Sequence, residues 1–441
     1  MADPVSQEKR MTGRAKKIGY GIILAAMAFL LWNPVVARAA ESEFEFYYQR
    51  IEAVEQINDP KPEGWWDKTK AFVKNVGNKI AGTFEKLSRT YFPGEGEKRW
   101  YSEKDANIAY KLQRTKVKSE AHLLELMGAK SGDLSKLTDG QKALLAVYRH
   151  SRSQAVKERM SVSYRSKIAV TLSDTTGFDD AKKYPQVEND FWPCSTGRMI
   201  QMSSNFFNYA GSEEDAQATF VHEFSHSCDR TVKEFIKPYG KDGRHSCNEL
   251  THKRSAFVEG WAEFNEMLDF PSERSRIQNA IKTVKIEKGN GEYTRVDATD
   301  ASLTGRDLMN VEGVVANIFY RMSSELPDGR KKVFAAFKDT NIYWRTTKMM
   351  LRGYVEKNPG DAKALAAILN EATHGKLTDA DMMYYLGKGN GVMEFLAARK
   401  APKAAVAVPE VKTGSDTADQ GVTVNEGETA PGNPFTAGST R

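Results

Sequence analysis

The stretch Val221-His222-Glu223-Phe224-Ser225-His226 constrains this chain more than any other. On a helix, residues four apart leave the same face one turn from each other, so His222 and His226 present two imidazoles side by side. That spacing lets two nitrogens approach one metal ion at about 2 Å, as tetrahedral zinc requires. Glu223 stands beside them, where a carboxylate can take a proton from a water held by the metal. The same pattern also arises by chance in a buried amphipathic helix whose histidines make ordinary hydrogen bonds. The surrounding sequence has to separate the two.

Upstream, Ile168-Ala169-Val170-Thr171-Leu172 is rich in β-branched residues and precedes the turn cluster Asp174-Thr175-Thr176-Gly177, which predicts a strand. Arg198, Met199, Ile200, Gln201 and Met202 predict a second short strand. Ser212-Glu213-Glu214-Asp215 then has capping-box spacing, so a helix is expected from Glu214 to about Cys228 with Phe220, Val221 and Phe224 on its core side. After a polar, turn-rich segment, a second helix is expected from about Leu250 to Leu268, stopped by Pro271. On it Glu259 and Glu263 lie four apart and share a face. Two histidines and one carboxylate, with a fourth position open, make the hydrolytic zinc arrangement. A further carboxylate can hold a ligand imidazole in the right tautomer.

On these residues the chain resembles the gluzincin group of zinc metallopeptidases, including the thermolysin-like enzymes and the anthrax lethal factor catalytic core. His222-Glu223-Phe224-Ser225-His226 matches the first element of that group, and Glu259-Gly260-Trp261-Ala262-Glu263 is similar to the second. The resemblance covers about residues 164 to 270. It implies a zincin-like lobe, a small twisted sheet carrying the HExxH helix, and one catalytic zinc ion. It implies His222, His226 and Glu259 as ligands, Glu223 as general base and Glu263 as the outer partner of a ligand. The strand Arg198 to Met202 takes the place of the edge strand along which such enzymes lay an extended substrate. A downstream Tyr or His would stabilise the oxyanion, with Tyr293, Tyr320, His374, Tyr384 and Tyr385 as candidates. The sequence departs from the thermolysin-type Asn-Glu-x-x-x-Asp signature, because Glu259 follows Val258 and the later acid is a glutamate. The metzincin continuation is absent too, with Asp229 at its glycine position and Val232 at its third histidine. Asp229 and Asp269 rank behind Glu259 as third ligands, and His245 and His252 read as loop or surface histidines.

The ends of the chain bear on where such chemistry would operate. Arg10, Arg14, Lys16 and Lys17 precede an apolar run, Ile22 to Trp32, and a small-residue exit at Ala37-Arg38-Ala39-Ala40. This is the layout of a secretory signal peptide over residues 1–39. The other reading is an uncleaved anchor over Gly19 to Val36. Both export the bulk of the chain, to a periplasm or beyond. Residues 40–160 are expected to be a helical N-terminal region, and within it residues 65–91 a basic amphipathic helix opening on Trp65-Trp66. Such a helix would suit peripheral contact with an anionic membrane, or would pack its apolar stripe on the rest of the protein. Residues 161–400 are expected to hold the metallopeptidase domain with a mostly helical C-terminal lobe. Residues 401–441, rich in Ala, Pro, Thr, Gly and Ser, read as a disordered tail. The expected fold class is therefore α+β.

A net charge of +6 over 441 residues, with no zinc-finger, helix-turn-helix or RNA-binding signature, gives no case for nucleic acid as a partner. The expected partner is a protein or peptide substrate. Of the three cysteines, Cys228 and Cys247 could pair and tie the motif helix to the following loop, but spacing does not choose the pairing. Cys194 could place a thiolate in the open zinc position and keep the enzyme latent, or be purely structural. The competing class is an exported membrane-surface or structural protein whose metal site is degenerate or only structural.

Overall fold

A computed structural model describes residues 43–56, 95–102, 107–129, 133–161, 167–180, 182–195, 199–228, 246–288, 292–340 and 345–401. Residues 1–39, read as a signal peptide, the basic stretch 65–91, residues 402–441, Asp229, Arg198 and His245 lie outside the described residues. The architecture is α+β, with a mixed six-stranded sheet and a larger helical portion.

The chain enters through three strands, β1 (Glu43–Gln56), β2 (Gly96–Tyr101) and β3 (Ile108–Lys116). This corrects the expectation of a helical N-terminal region. Phe44, Phe46 and Tyr48 recur at a spacing of two, which is the period of a strand and not of a helix. In β3 the alternate residues Tyr110, Leu112 and Arg114 are likewise buried. Helices α1 (Glu120–Leu126), α2 (Asp139–His150) and α3 (Gln154–Met160) follow, so the helical reading holds for the later part of this region. A complete capping box between Thr138 and Gln141 starts α2.

Strand β4 (Lys167–Asp174) is followed by a short helix α4 (Pro185–Asp190), the two-residue strand β5 (Cys194–Ser195) and β6 (Met199–Ser203). The sheet order is β2-β3-β1-β4-β6-β5. β1, β4 and β6 run parallel, while β2 and β3 at one end and β5 at the other are antiparallel to their neighbours. β6 was expected to be the edge, but β5 covers it by pairing Cys194 with Gln201 and Ser195 with Ile200. Two residues sufficed for this cap, too short a run to carry a periodic signal.

Helices α5 (Ser204–Ala210), α6 (Glu213–Cys228), α7 (Lys253–Asp269) and α8 (Pro271–Ala280) come next. A hairpin of β7 (Thr283–Glu287) and β8 (Tyr293–Asp297) then interrupts the helices. The remainder is helical: α9 (Gly305–Leu308), α10 (Glu312–Glu325), α11 (Gly329–Asp339), α12 (Thr347–Lys357), α13 (Ala362–Ala372), α14 (Asp379–Leu386) and α15 (Asn390–Lys400). One continuous apolar core runs from Phe46 on β1 through Phe220 and Trp261 to Leu396 on α15. No described helix is long and apolar enough to cross a membrane.

Candidate metal centre

Two helices build the centre, and each shows why its sequence has the form it does. The Ser212 hydroxyl accepts from the Asp215 amide at 3.1 Å, and Glu213, Glu214 and Asp215 place negative charge in the first turn of α6. Residues two apart on a helix are about 200° apart around it. Phe220 and Phe224 therefore point one way and His222 and His226 the other. The phenyl rings meet Phe44 of β1 at centroid distances of 5.6 and 5.1 Å, which seats α6 on the sheet. The imidazoles face α7.

Helix α7 is buried around most of its circumference, from Ser255 to Met267. Each position of Glu259-Gly260-Trp261-Ala262-Glu263 meets a different neighbour. Gly260 lies against α10 so closely that an added Cβ would stand 2.7 Å from the Glu312 carbonyl oxygen. Trp261 stacks on Phe337 of α11 with ring centroids 3.8 Å apart. Near its C-terminal end, α7 is held by the buried Arg159 of α3, whose guanidinium donates to the Asn265 side chain at 2.8 Å and to Asp269 at 2.5 Å. Asp269 is thereby engaged away from the imidazoles.

Between the two helices, His222, His226 and Glu259 bring one donor atom each to within 4.8 Å of one another, all buried. His222 Nε2 lies 3.2 Å and His226 Nε2 3.0 Å from the same oxygen, Glu259 Oε2. Donors bound to one tetrahedral zinc at about 2.0–2.1 Å stand roughly 3.3 Å apart, so both separations suit shared coordination. The donor set, two imidazoles and one carboxylate, is also of the type zinc takes at hydrolytic sites. The residues present fit a zinc ion.

The far nitrogen of His222, Nδ1, is in short contact with Glu266 Oε1. Glu266, only 1% exposed, is therefore the carboxylate that orients this ring. The sequence reading assigned that place to Glu263. Both lie near the Glu259 face of α7, at i+4 and i+7, and the i+7 position was the overlooked signal. Burial works against charge on His222, but Glu266 and Glu259 outweigh it and push the imidazole up to about 10.

Glu263 is buried to 5% exposure, and its Oε2 has no hydrogen-bond partner among the described residues. Burial, and then the neighbouring Glu312 carboxylate, hold it well above its ordinary value of 4.5, while Arg276 opposes the shift. The native chain thus binds a proton that the unfolded chain releases above pH 4.5. Stability is lost as pH rises from there through the folded value. Glu263→Gln removes that loss, so its unfolding midpoint should match the parent near pH 4.5 and exceed it increasingly as the pH rises above that value. Thermal unfolding across this range measures it, and parallel pH profiles would exclude the raised carboxyl.

Glu223 is partly exposed while its neighbours on either side along α6 are buried. Ser227, next to His226, shares a hydrogen bond of 2.7 Å with Ser195 of β5 and ties the sheet's last strand to the motif helix. Because alternate strand residues face opposite sides, Cys194 points away from the face that Ser195 presents to α6. Cys194 is not part of the donor group, and no disulfide joins the cysteines among the described residues. Burial, reinforced by Glu263, pushes the Cys247 thiol up to about 12.

Four of the five oxyanion candidates contact other side chains. The Tyr293 hydroxyl donates to Glu249 at 3.3 Å, and Arg274 donates to the Tyr320 hydroxyl at 2.6 Å. His374 is an exposed residue in left-handed conformation after α13. Tyr384 lies under Lys348 and packs edge-on against Tyr385. His252 caps the start of α7, where its Nδ1 accepts from the Arg254 amide at 3.4 Å.

Comparison of the chain with protein-family models, with curated proteins and with solved structures returned no match.

Proposed function

We propose that this chain is a zinc-dependent metallopeptidase of gluzincin type, built on a zincin-like lobe formed by the mixed sheet, α6 and α7. The observation that carries the reading is the convergence of His222 Nε2 and His226 Nε2 on one oxygen of Glu259, and Glu223 follows His222 in the chain and is partly exposed. Bound by these three residues, zinc would supply Lewis acidity to a peptide carbonyl and to the attacking water. Glu223 takes the proton of that water and later delivers it to the leaving amine nitrogen. His222 keeps its Nε2 directed inward because Glu266 holds Nδ1 from the other side.

The substrate in this reading is a protein or peptide in extended form. β5 is the last strand of the sheet, antiparallel to β6, and the Ser195–Ser227 hydrogen bond brings it alongside the motif helix. A peptide added to its outer side would run past the imidazole pair, with main-chain hydrogen bonds supplying affinity. The substrate strand in this reading thus shifts from Arg198–Met202 to Cys194–Ser195. Residues Arg10 to Ala40 support an exported location for this activity.

Metal analysis of the purified chain, paired with a peptide-cleavage assay, tests the reading. About one zinc per chain is expected, with cleavage abolished by a chelator and restored by zinc. A zinc-free chain whose properties are unchanged by chelator would overturn the reading in favour of a structural or surface-bound protein.

A further inference from the structure

We propose that Arg276 on α8 is a positioning residue for the metal centre, acting through Glu266 on the ring of His222. The inference rests on the metal-centre reading above. α8 starts at Pro271, directly after α7, and its first turn carries the buried Glu273. Arg276 Nε and Nη2 both meet Glu273 Oε2, at 2.7 and 2.6 Å, which locks the guanidinium against the body of the protein. From there Nη2 stands 3.8 Å from Glu266 Oε2, an ion pair rather than a hydrogen bond. The other oxygen of the same carboxylate, Oε1, is the one in contact with His222 Nδ1. Arg276 Nη1 lies 3.8 Å from Cys247 Sγ.

Glu266 therefore sits between a guanidinium and an imidazole, one on each oxygen. A carboxylate can rotate about its last bond, and its two oxygens are chemically equivalent. The cation on the Oε2 side removes that freedom and leaves Oε1 for the imidazole. Glu273, meeting both Nε and Nη2, holds the partly exposed arginine side chain beside Glu266. With zinc held there, His222 would carry its proton on Nδ1 and offer the lone pair of Nε2 to the metal. α8, which supplies no ligand, thereby determines the direction of one.

Zinc affinity measured by competition with a chromophoric chelator tests this, with thermal unfolding of the metal-free chains as the control for folding. Removing the outer partner of a metal-bound histidine weakens binding by about 10- to 100-fold. Arg276→Gln is expected to weaken zinc binding about tenfold, with Arg276→Lys recovering part of the loss. Glu266→Gln should weaken binding more, and the double variant Glu266→Gln/Arg276→Gln no further than Glu266→Gln alone, since both changes act on one contact. Unchanged affinity in Arg276→Gln, or losses that multiply in the double variant, would overturn the proposal. Should Arg276→Gln fail to fold, Glu273→Gln, which frees the guanidinium without removing it, is expected to weaken zinc binding in the same direction, and unchanged affinity there would count equally against it. Absence of zinc binding by the parent chain would instead overturn the metal-centre reading itself.

Discussion

Glu223→Gln is expected to lower peptide hydrolysis by about 10²- to 10⁴-fold, the usual contribution of a positioned general base, while zinc content stays unchanged. The two readouts separate because Glu223 is not among the three converging donors. Glutamine has the shape of glutamate and can still donate or accept a hydrogen bond, but it cannot take up a proton at neutral pH. Its side chain is partly exposed, so the substitution creates neither a cavity nor a buried unpaired group, and stability should change little. His226→Ala makes the contrast, since it removes a donor and should lose zinc and activity together. Parent-like hydrolysis by Glu223→Gln would remove Glu223 from the chemistry. Loss of zinc in that variant would make it a ligand.

Trp261→Ala is expected to destabilise the chain by about 3–5 kcal/mol, the range for emptying a large aromatic site in a packed core. Trp261 is 2% exposed, stacks on Phe337 at 3.8 Å and meets Phe334 edge-on at 5.7 Å. With Phe257 on Phe337 and Phe264 on Phe334, it joins α7 to α11. Trp261 and Glu259 lie two residues apart and so face nearly opposite sides of the helix. Chelator-competition affinity for zinc should therefore fall far less than stability when measured well below the unfolding midpoint. Denaturant unfolding measures the first effect, and a loss below about 1 kcal/mol would show that the site collapses around the missing ring.

The motif residues were legible because helical spacing is a local property. His222 and His226 share a face on any helix, and Ser212 and Pro271 mark where the two helices start and stop. β4 was legible for the same reason, with its β-branched run bounded by a turn. β1 was missed although its alternation is present, because the aromatic residues at odd and even positions (Phe46, Tyr47, Tyr48) blur the contrast between faces. β5 was missed because two residues carry no period at all. The role of Glu266 was missed because Glu259, Glu263 and Glu266 are all acids near one stripe of α7, and helical spacing alone does not rank them.

Helix crossing supplies that ranking. α10 packs so tightly on α7 at Gly260 that Glu263 is enclosed beside Glu312, while α6 meets α7 where Glu259 and Glu266 can reach His222 from two sides. From sequence alone came the pair of imidazoles, the acid between them and the helix that would complete the donor set, since these depend only on residues a few positions apart. Tertiary structure decided which strand ends the sheet, which glutamate orients the imidazole and which arginine stands behind it. Those depend on the distance and angle between elements, which are set by side-chain packing across the whole core and not by any short stretch of chain.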